Sequence, residues 1–513
     1  MLKRFSALLL VCFMVLNFSI GADASKHRVK YSENSRFHVS EMDRFKDYAK
    51  INKESKAKDN RLKNPHAKEN AEIKKNLEEY LNAAAQNRNF HGSVLVEKGG
   101  KIILAKGYGM ADYENSIPNT PSTRFAIASM TKQFTSMAIM QLYEKRKLKL
   151  DDKISKYFPD FPRGDEITIH HLLTHTSGIT NYTNLPEYWS VDPENVDVNA
   201  VINLFKDKPL EFNPGEAWNY SNSGYLLLGV IVEKITGKSL ESYLQKNIFA
   251  PLKMKNTGVI YKNDKKMIDT VGYIGYLDIE PIDDTLTAKT VFGAGYLYST
   301  IEDMYIWDRA LYTCKLVSKK TMDIIFTPHV DTKLIGNYGY GWVINGEGTD
   351  KEIFHDGALL GFSSIISRYV ERNTGIIILS NKNHTGSSVF KIKDDINSIL
   401  LGKEVELPAP KKSITLDSAV IDGLVGNYEA APGVNFTITR EDNRVYAQIT
   451  GQGKVEIFPQ SDTSFFYRIV DAEIIFVKDN NGQVAGLILH QLGVDIPAKK
   501  ITDESTQAAH QAA

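Results

Sequence analysis

The chain has 513 residues, of which 42% are hydrophobic and 24% are charged, a composition typical of soluble proteins with two or three folded domains. Lysine plus arginine and aspartate plus glutamate both number 62, so the formal net charge is zero. This balance argues against a nucleic-acid-binding surface spread over the whole protein.

The first residues have the pattern of a secretory signal. Lys3 and Arg4 precede an apolar run from Ala7 to Leu16, and small residues follow at Ala22 and Ala24. We therefore expect residues 1–24 to be a signal peptide cleaved after Ala24, and the protein to be exported to the periplasm or the medium. The alternative is an uncleaved signal, which would anchor the protein to the membrane.

A polar segment follows, and residues 25–70 contain too few apolar side chains to build a core. We predict a disordered spacer there, the alternative being a basic tether to an anionic surface. Cys12 falls in the signal, so Cys314 is the one cysteine of the mature chain and no intramolecular disulfide can form. We interpret Cys314 as structural.

Residues 71–402 alternate between strand and helix patterns. An amphipathic helix is predicted over Ile73 to Gln86, followed by two strands in residues 92–107. A long helical stretch runs from Ser129 to about Lys255, and strand patterns return after residue 340. We predict an α+β fold, in which one antiparallel sheet is flanked by helices and a helical lobe is inserted between its strands, with a cleft at the junction.

The C-terminal part has a different pattern. Residues 403–415 contain Pro408 and Pro410 and are interpreted as a linker. Residues 416–501 consist of short strand-like segments separated by turns, which predicts an antiparallel β-barrel domain. Residues 502–513 are expected to be a disordered tail.

Ser129 and Lys132 are the first candidates for catalysis. They lie three residues apart at the start of an apolar run, and therefore on one face of a helix. A serine hydroxyl becomes a nucleophile when a neighbouring base takes its proton, and a desolvated lysine can be that base. The pair therefore predicts acyl transfer through a serine ester, although a solvated lysine beside a helix N-terminus fits the same pattern.

Two further groups fit the same chemistry. Tyr220 could relay protons, because a nearby ammonium favours its phenolate, and the Asn222 amide could hold a substrate carbonyl. Gly357 would let a ligand approach an edge strand, and the Ala358 amide could pair with that of Ser129 to bind an oxyanion. Each group also has a structural interpretation, as a helix-capping turn and as a strand end.

Taken in this order, the three elements resemble those of the serine β-lactamase and penicillin-binding-protein superfamily, in the branch of class C β-lactamases, D-alanyl-D-alanine carboxypeptidases, D-aminopeptidases and esterases. Residues 167–179, 293–304 and 338–342 are also similar to that family, and the C-terminal domain resembles a lipocalin-like β-domain. The resemblance implies that Ser129 is acylated, Lys132 accepts its proton, Tyr220 shuttles protons and Asn222 orients the substrate. It places His355, with Gly357 and Ala358, in the substrate-binding Lys-Thr-Gly element.

His355 and Asp356 depart from that element, because a histidine is only partly charged near neutral pH and an aspartate facing the site would repel a carboxylate. We therefore expect an exported serine hydrolase acting on D-amino-acid-containing peptides, including peptidoglycan fragments. The alternatives are an esterase, a weak β-lactamase, or a non-catalytic protein that binds peptidoglycan or a partner. No cofactor is expected.

His170, His171 and His175 lie close together in the sequence and could indicate a metal site. His171 and His175 are four residues apart, but residue 172 is a leucine where a helical zinc protease has glutamate, so we expect no metal.

Overall fold

The computed structural model describes residues 65–87, 90–190, 197–260, 268–275, 277–282, 288–383, 387–491 and 494–501. The predicted signal peptide, most of the predicted spacer and the predicted tail lie outside these ranges. The strands are Gly92–Lys98 (β1), Lys101–Tyr108 (β2), Met110–Asp112 (β3), Ile117–Pro118 (β4), Phe125–Ala126 (β5), Gly258–Val259 (β6), Gly272–Ile274 (β7), Glu280–Ile282 (β8), Leu297–Ser299 (β9), Val330–Asp331 (β10), Asn337–Tyr338 (β11), Val343–Asn345 (β12), Glu352–Leu359 (β13), Phe362–Tyr369 (β14), Thr374–Ser380 (β15), Lys382–Asn383 (β16), Gly426–Ala431 (β17), Val434–Glu441 (β18), Arg444–Ile449 (β19), Val455–Pro459 (β20), Ser464–Tyr467 (β21), Ala472–Lys478 (β22), Val484–Gln491 (β23) and Val494–Lys500 (β24).

The α-helices are Pro65–Gln86 (α1), Thr131–Glu144 (α2), Ile169–Leu173 (α3), Pro186–Trp189 (α4), Val198–Phe205 (α5), Asn222–Thr236 (α6), Leu240–Leu244 (α7), Ala250–Leu252 (α8), Ala288–Gly295 (α9, broken at Phe292), Ile301–Ala310 (α10), Lys319–Ile325 (α11), Ser387–Leu400 (α12) and Ser418–Leu424 (α13). Short 3₁₀ segments occur at Ala128–Met130, Ile154–Lys156, Tyr182–Asn184, Gly348–Asp350 and Val370–Arg372, and a π-helical turn at Gln245–Phe249. As far as the structure describes the chain, none of these helices is both long and apolar enough to cross a bilayer.

The centre of the α+β domain is an eight-stranded sheet in the order β10-β11-β12-β13-β14-β15-β1-β2. Its strands pair antiparallel, and Gly92 of β1 faces Ser380 of β15. Side chains of β15 alternate between two cores: Ile377 packs with the helical lobe, and Ile376 packs with α1 and α12 on the opposite face. The sheet is therefore covered by helices on both faces, which confirms the predicted α+β fold.

The predicted helix over Ile73 to Gln86 is present and begins earlier, at Pro65, inside the range assigned to the spacer. Proline is well accommodated in the first turn of a helix, where its missing N–H has no partner to lose. Glu69 in this added part pairs with Lys98 at 2.6 Å. The N-terminal side of the sheet is thus bounded by a helix longer than its apolar pattern indicated.

Strands β17 to β24 pair with their neighbours in chain order and close into a barrel, which confirms the predicted β-barrel domain. Its interior is filled by apolar side chains, among them Tyr428, Phe436, Phe465 and Phe476. Its specific likeness to lipocalins stays a prediction.

The barrel contacts the α+β domain beside β13. The backbone oxygen of Arg468, in the loop after β21, accepts the Leu277 amide at 2.8 Å, and its guanidinium donates to both Asp278 carboxylate oxygens at 2.7 and 2.8 Å. Residues 277 and 278 belong to the β7–β8 hairpin, which packs on Gly361 at the β13–β14 turn. The two domains are therefore joined close to the strand that carries His355 and Gly357.

Cys314, interpreted above as structural, is an exposed free thiol. It lies in the turn after α10, outside both cores, so that interpretation is corrected.

Candidate active site

The predicted nucleophile Ser129 lies in the Ala128–Met130 turn that leads into α2. Ala128, immediately before it, has a positive φ of 48°, a conformation that side chains with a Cβ rarely adopt. Backbone strain of this kind costs free energy and is found mainly where the surrounding structure enforces it, often at active sites. The turn holds the Ser129 hydroxyl one helical turn from Lys132.

Lys132 is completely buried, and its Nζ lies 3.0 Å from Ser129 Oγ. Burial lowers the pKa of Lys132 well below its usual range, and the Asp356 carboxylate opposes this shift only in part. Nζ also lies 2.8 Å from both Asn222 Oδ1 and the Ala294 carbonyl oxygen. These two acceptors take both hydrogens of a neutral amine, so the lone pair is left facing the Ser129 hydroxyl.

Tyr220 and Asn222 flank this pair from the start of α6. The ring of Tyr220 lies 4.8 Å from Lys132 Nζ, and its hydroxyl is hydrogen-bonded to Ser129. Burial raises the pKa of Tyr220 well above its usual range, although that hydrogen bond opposes the shift. The expectation of a favoured phenolate is therefore wrong, because the phenol is desolvated and burial also disfavours the ammonium form of the neighbouring lysine.

Asn222 is held by two contacts besides the one with Lys132. Its Nδ2 donates to Thr183 Oγ1 at 3.1 Å, and its backbone N–H donates to Asn181 Oδ1 at 3.0 Å. These contacts turn Oδ1 toward Lys132. The asparagine thus orients the base in the resting site, and its predicted contact with substrate stays a prediction.

Gly357 packs directly against the nucleophile turn. A Cβ on Gly357 would lie 2.2 Å from the Ile127 oxygen and 3.0 Å from the Ser129 nitrogen. The close approach expected for this glycine is present, with the protein's own backbone as the neighbour. Ala358 follows on β13 and is exposed, and its part in an oxyanion site with the Ser129 amide stays a prediction.

His355 is buried on the same strand, with both ring nitrogens hydrogen-bonded. Nδ1 donates to the Asp356 carbonyl oxygen at 2.6 Å, and Nε2 lies 3.0 Å from the Tyr338 hydroxyl. Burial, with Lys132 adding to it, lowers the pKa of His355 to about 3. Burial raises the pKa of the Asp356 carboxyl, and its charge acts on Lys132 and Tyr220, so Asp356 lies near enough to influence the catalytic pair.

The three histidines weighed as metal ligands serve other purposes. His171 completes the cap of α3 with Thr168, and His170 Nδ1 lies 2.7 Å from the Tyr340 hydroxyl. His175 contacts Tyr338 and stacks on Tyr220. Among the residues that the structure describes, no cluster of three or more metal-ligating side chains occurs.

Sequence reasoning singled out neither His175 nor Tyr338 as a site residue. Both lie in stretches that resemble the superfamily, residues 167–179 and 338–342, and that was the available signal. The Ala294 carbonyl gave no signal, because backbone acceptors carry no residue identity.

Comparison with known proteins follows the same division of the chain. The sequence model of the family described as "Beta-lactamase" matches residues 75–400, and one described as "Domain of unknown function (DUF3471)" matches residues 410–507. Penicillin-binding protein 4* of Bacillus subtilis (strain 168) is 31% identical over 424 residues, which cover 79% of this chain and 93% of that protein.

Solved structures are similar as well. The octameric penicillin-binding protein homologue from Pyrococcus abyssi has 27% identity and a TM-score of 0.59, over 81% of this chain and 97% of that one. The D-amino acid amidase from Ochrobactrum anthropi SV3, solved with D-phenylalanine, has 23% identity and a TM-score of 0.56, over 64% and 99%. At that identity the second likeness concerns the fold alone.

Proposed function

The chain belongs to the beta-lactamase family and is a serine hydrolase, and we propose that it is exported and opens an amide or ester of a D-amino-acid-containing peptide through an acyl-enzyme. The observation that carries this proposal is the buried Lys132 amine, 3.0 Å from Ser129 Oγ and hydrogen-bonded so that its lone pair faces the hydroxyl.

The acylation step follows from these contacts. Ser129 Oγ attacks the substrate carbonyl carbon as its proton passes to Lys132 Nζ, and the oxyanion meets the amides of Ser129 and Ala358. When the C–N or C–O bond breaks, the leaving group takes a proton from the Tyr220 hydroxyl, which the lysine ammonium then reprotonates. Water attacks the ester by the same route in reverse and releases the acid.

The chemical class of the group on the leaving side of the substrate is inferred from the charges of His355 and Asp356. Both nitrogens of His355 are occupied within the protein, so it has no N–H left for a substrate carboxylate. The negative charge of Asp356 instead acts on Lys132 and Tyr220, and at that point it disfavours carboxylates and favours amides, esters and amines. This supports peptides with a neutral or cationic group at that point, and places simple esters second and β-lactams third.

A substrate panel tests this proposal. D-amino-acid amides, D-Ala-D-Ala peptides, short acyl esters and a chromogenic cephalosporin would be compared for wild type and Ser129→Ala, with Ser136→Ala as the matched buried serine on α2. We expect the amides and peptides to give the highest kcat/KM, and Ser129→Ala to abolish all turnover. Turnover that survives in Ser129→Ala would refute the assignment.

Covalent labelling distinguishes the hydrolase from a non-catalytic binding protein. An alkyl fluorophosphonate should add to Ser129 in wild type and Ser136→Ala, as seen by intact mass. Absence of any adduct with fluorophosphonate or penicillin would favour the binding protein. Export is tested by the N-terminal residue of the protein recovered from the envelope, which we expect to be Ser25.

A further inference from the structure

His175 occupies a strained and central position that the acylation step does not use. It is buried and has a positive φ of 60°, a rarely adopted conformation for a residue with a side chain. Its ring lies 4.5 Å from that of Tyr220 and 4.8 Å from that of Tyr338. Such strain persists only where surrounding contacts enforce it, and here it brings one imidazole into contact with Tyr220 of the second motif and with Tyr338, the partner of His355.

The hydrogen positions of this cluster are determined from one end by His175. The Ser221 backbone N–H can only donate, and it points at His175 Nδ1 at 3.1 Å. Nδ1 is therefore an acceptor, and the proton of the neutral ring is on Nε2. His175 Nε2 then donates to the Tyr338 hydroxyl at 3.1 Å.

The hydrogen positions at the other end of the cluster, at His355, indicate the same direction of the hydrogen bonds. The Asp356 carbonyl can only accept, so His355 Nδ1 carries a proton. Tyr338 already accepts from His175, so its own proton is directed to His355 Nε2 at 3.0 Å. The chain of donors thus runs from Ser221 through His175 and Tyr338 to His355, with each ring neutral.

This direction opposes a charge on His355. A proton on its Nε2 would displace the Tyr338 proton, which could not turn toward His175, whose Nε2 is also a donor, and would have to turn toward the Tyr225 hydroxyl instead. The titratable groups whose charges act on the three rings are Lys132, Tyr220, Tyr225 and Asp356. Of these, Lys132 disfavours a positive charge on either imidazole whenever its amine is protonated, as it becomes during acylation, and it then reinforces the effect of the hydrogen bonds.

We propose that His175 is a positioning residue that, through Tyr338, holds His355 as a neutral Nδ1–H tautomer and so denies the site a cation for substrate carboxylates. The consequence for substrates rests on the proposed function, whereas the tautomer itself does not. The position that could offer a charge is thereby kept uncharged by a residue outside the three catalytic motifs.

The test is the tautomer of each histidine, measured by two-bond ¹H–¹⁵N correlation on the full-length protein with labelled histidine. His355→Gln and His175→Gln spectra assign the signals. We expect His355 to be protonated on Nδ1 and His175 on Nε2, with neither titrating between pH 5 and 8. A titrating His355, or one protonated on Nε2, would overturn the proposal whether or not the protein is active.

Tyr338→Phe tests the link itself. It removes the donor to His355 Nε2, and we expect His355 to begin to titrate in that range. The rate of Ser129 acylation by benzylpenicillin, relative to a neutral fluorophosphonate at pH 6, should rise about tenfold, the effect of one added charge-assisted hydrogen bond.

Tyr340→Phe is the matched control, because it removes a buried hydroxyl from a histidine, His170, outside the site. It should leave both the His355 signal and the acylation ratio unchanged. If Tyr338→Phe is folded by circular dichroism and its His355 still does not titrate, Tyr338 is not the link. If it does not fold, the wild-type tautomers decide alone.

Discussion

Gly357→Ala should lower both the activity and the stability of the protein. The added methyl group would lie 2.2 Å from the Ile127 oxygen and 3.0 Å from the Ser129 nitrogen, both of them backbone atoms. Since Cβ contacts below 3.0 Å are essentially never seen, β13 and the nucleophile turn must separate by about 1 Å. A misplacement of about 1 Å can cost about 10²-fold in rate, equivalent to about 2.7 kcal/mol in activation free energy. Overpacking of this kind costs about 1–3 kcal/mol in stability.

The assay is the second-order rate constant for fluorophosphonate labelling, with urea unfolding measured in parallel. The control is Gly423→Ala, because Gly423 lies in a helix and its added Cβ would meet no atom within 4 Å. That change should leave labelling untouched and stabilise the protein by up to about 1 kcal/mol. If Gly357→Ala is labelled within about threefold of the wild-type rate, the close packing of Gly357 on the Ser129 turn does not control catalysis.

Three further results are expected. Lys132→Arg puts a permanently charged guanidinium where the lysine supplies a base, so the rate of Ser129 labelling should fall about 10³-fold. A loss below about tenfold would contradict the role of Lys132. The pKa of buried Glu97 is raised from 4.5 to about 8 by burial and by Asp308, so its protonated form stabilises the fold below about pH 4.5 and this contribution is lost as the pH rises through about 8. Glu97→Gln should therefore be more stable than wild type by about 2 kcal/mol at pH 9 and show no such gain at pH 4.5. If urea unfolding shows an equal gain in stability at the two pH values, the raised pKa of Glu97 is refuted. Arg468→Ala breaks a half-exposed ion pair with Asp278, so the free energy of unfolding should change by less than about 1 kcal/mol. If the barrel borders the substrate path, the KM for peptides should change while the KM for a small ester does not. Parallel changes in both KM values would exclude a barrel that borders the path.

The catalytic motifs could be predicted because their chemistry depends on short spacings. Ser129 and Lys132 are three residues apart, and Tyr220 and Asn222 two, so local structure alone brings each pair together. The barrel was predictable for the same reason, since its strands pair in chain order and each turn is marked by polar residues. Where a site or fold depends on neighbours in sequence, the pattern contains most of the information.

Other parts of the site depend on distant residues. The orientation of the Lys132 amine depends on the Ala294 carbonyl, and the protonation state of His355 depends on Tyr338 and through it on His175. The expected phenolate of Tyr220 failed because it assumed a lysine ammonium beside the ring, whereas burial disfavours both that ammonium and the phenolate. Desolvation is a property of the assembled core, and no window of sequence contains it.

The strand order of the catalytic sheet also determines when the nucleophile can form during folding. Gly92 pairs with Ser380, and the turn of Ser129 is backed by Gly357, so contacts between remote parts of the chain must close first. Folds rich in such contacts form slowly, whereas the barrel is built from successive hairpins and can form early and independently of the sheet. Until Asn222 and the Ala294 segment surround Lys132, its amine is hydrated and charged, and Ser129 has the reactivity of any surface serine. Acyl transfer is thus acquired late, once the last strands of the sheet are in place.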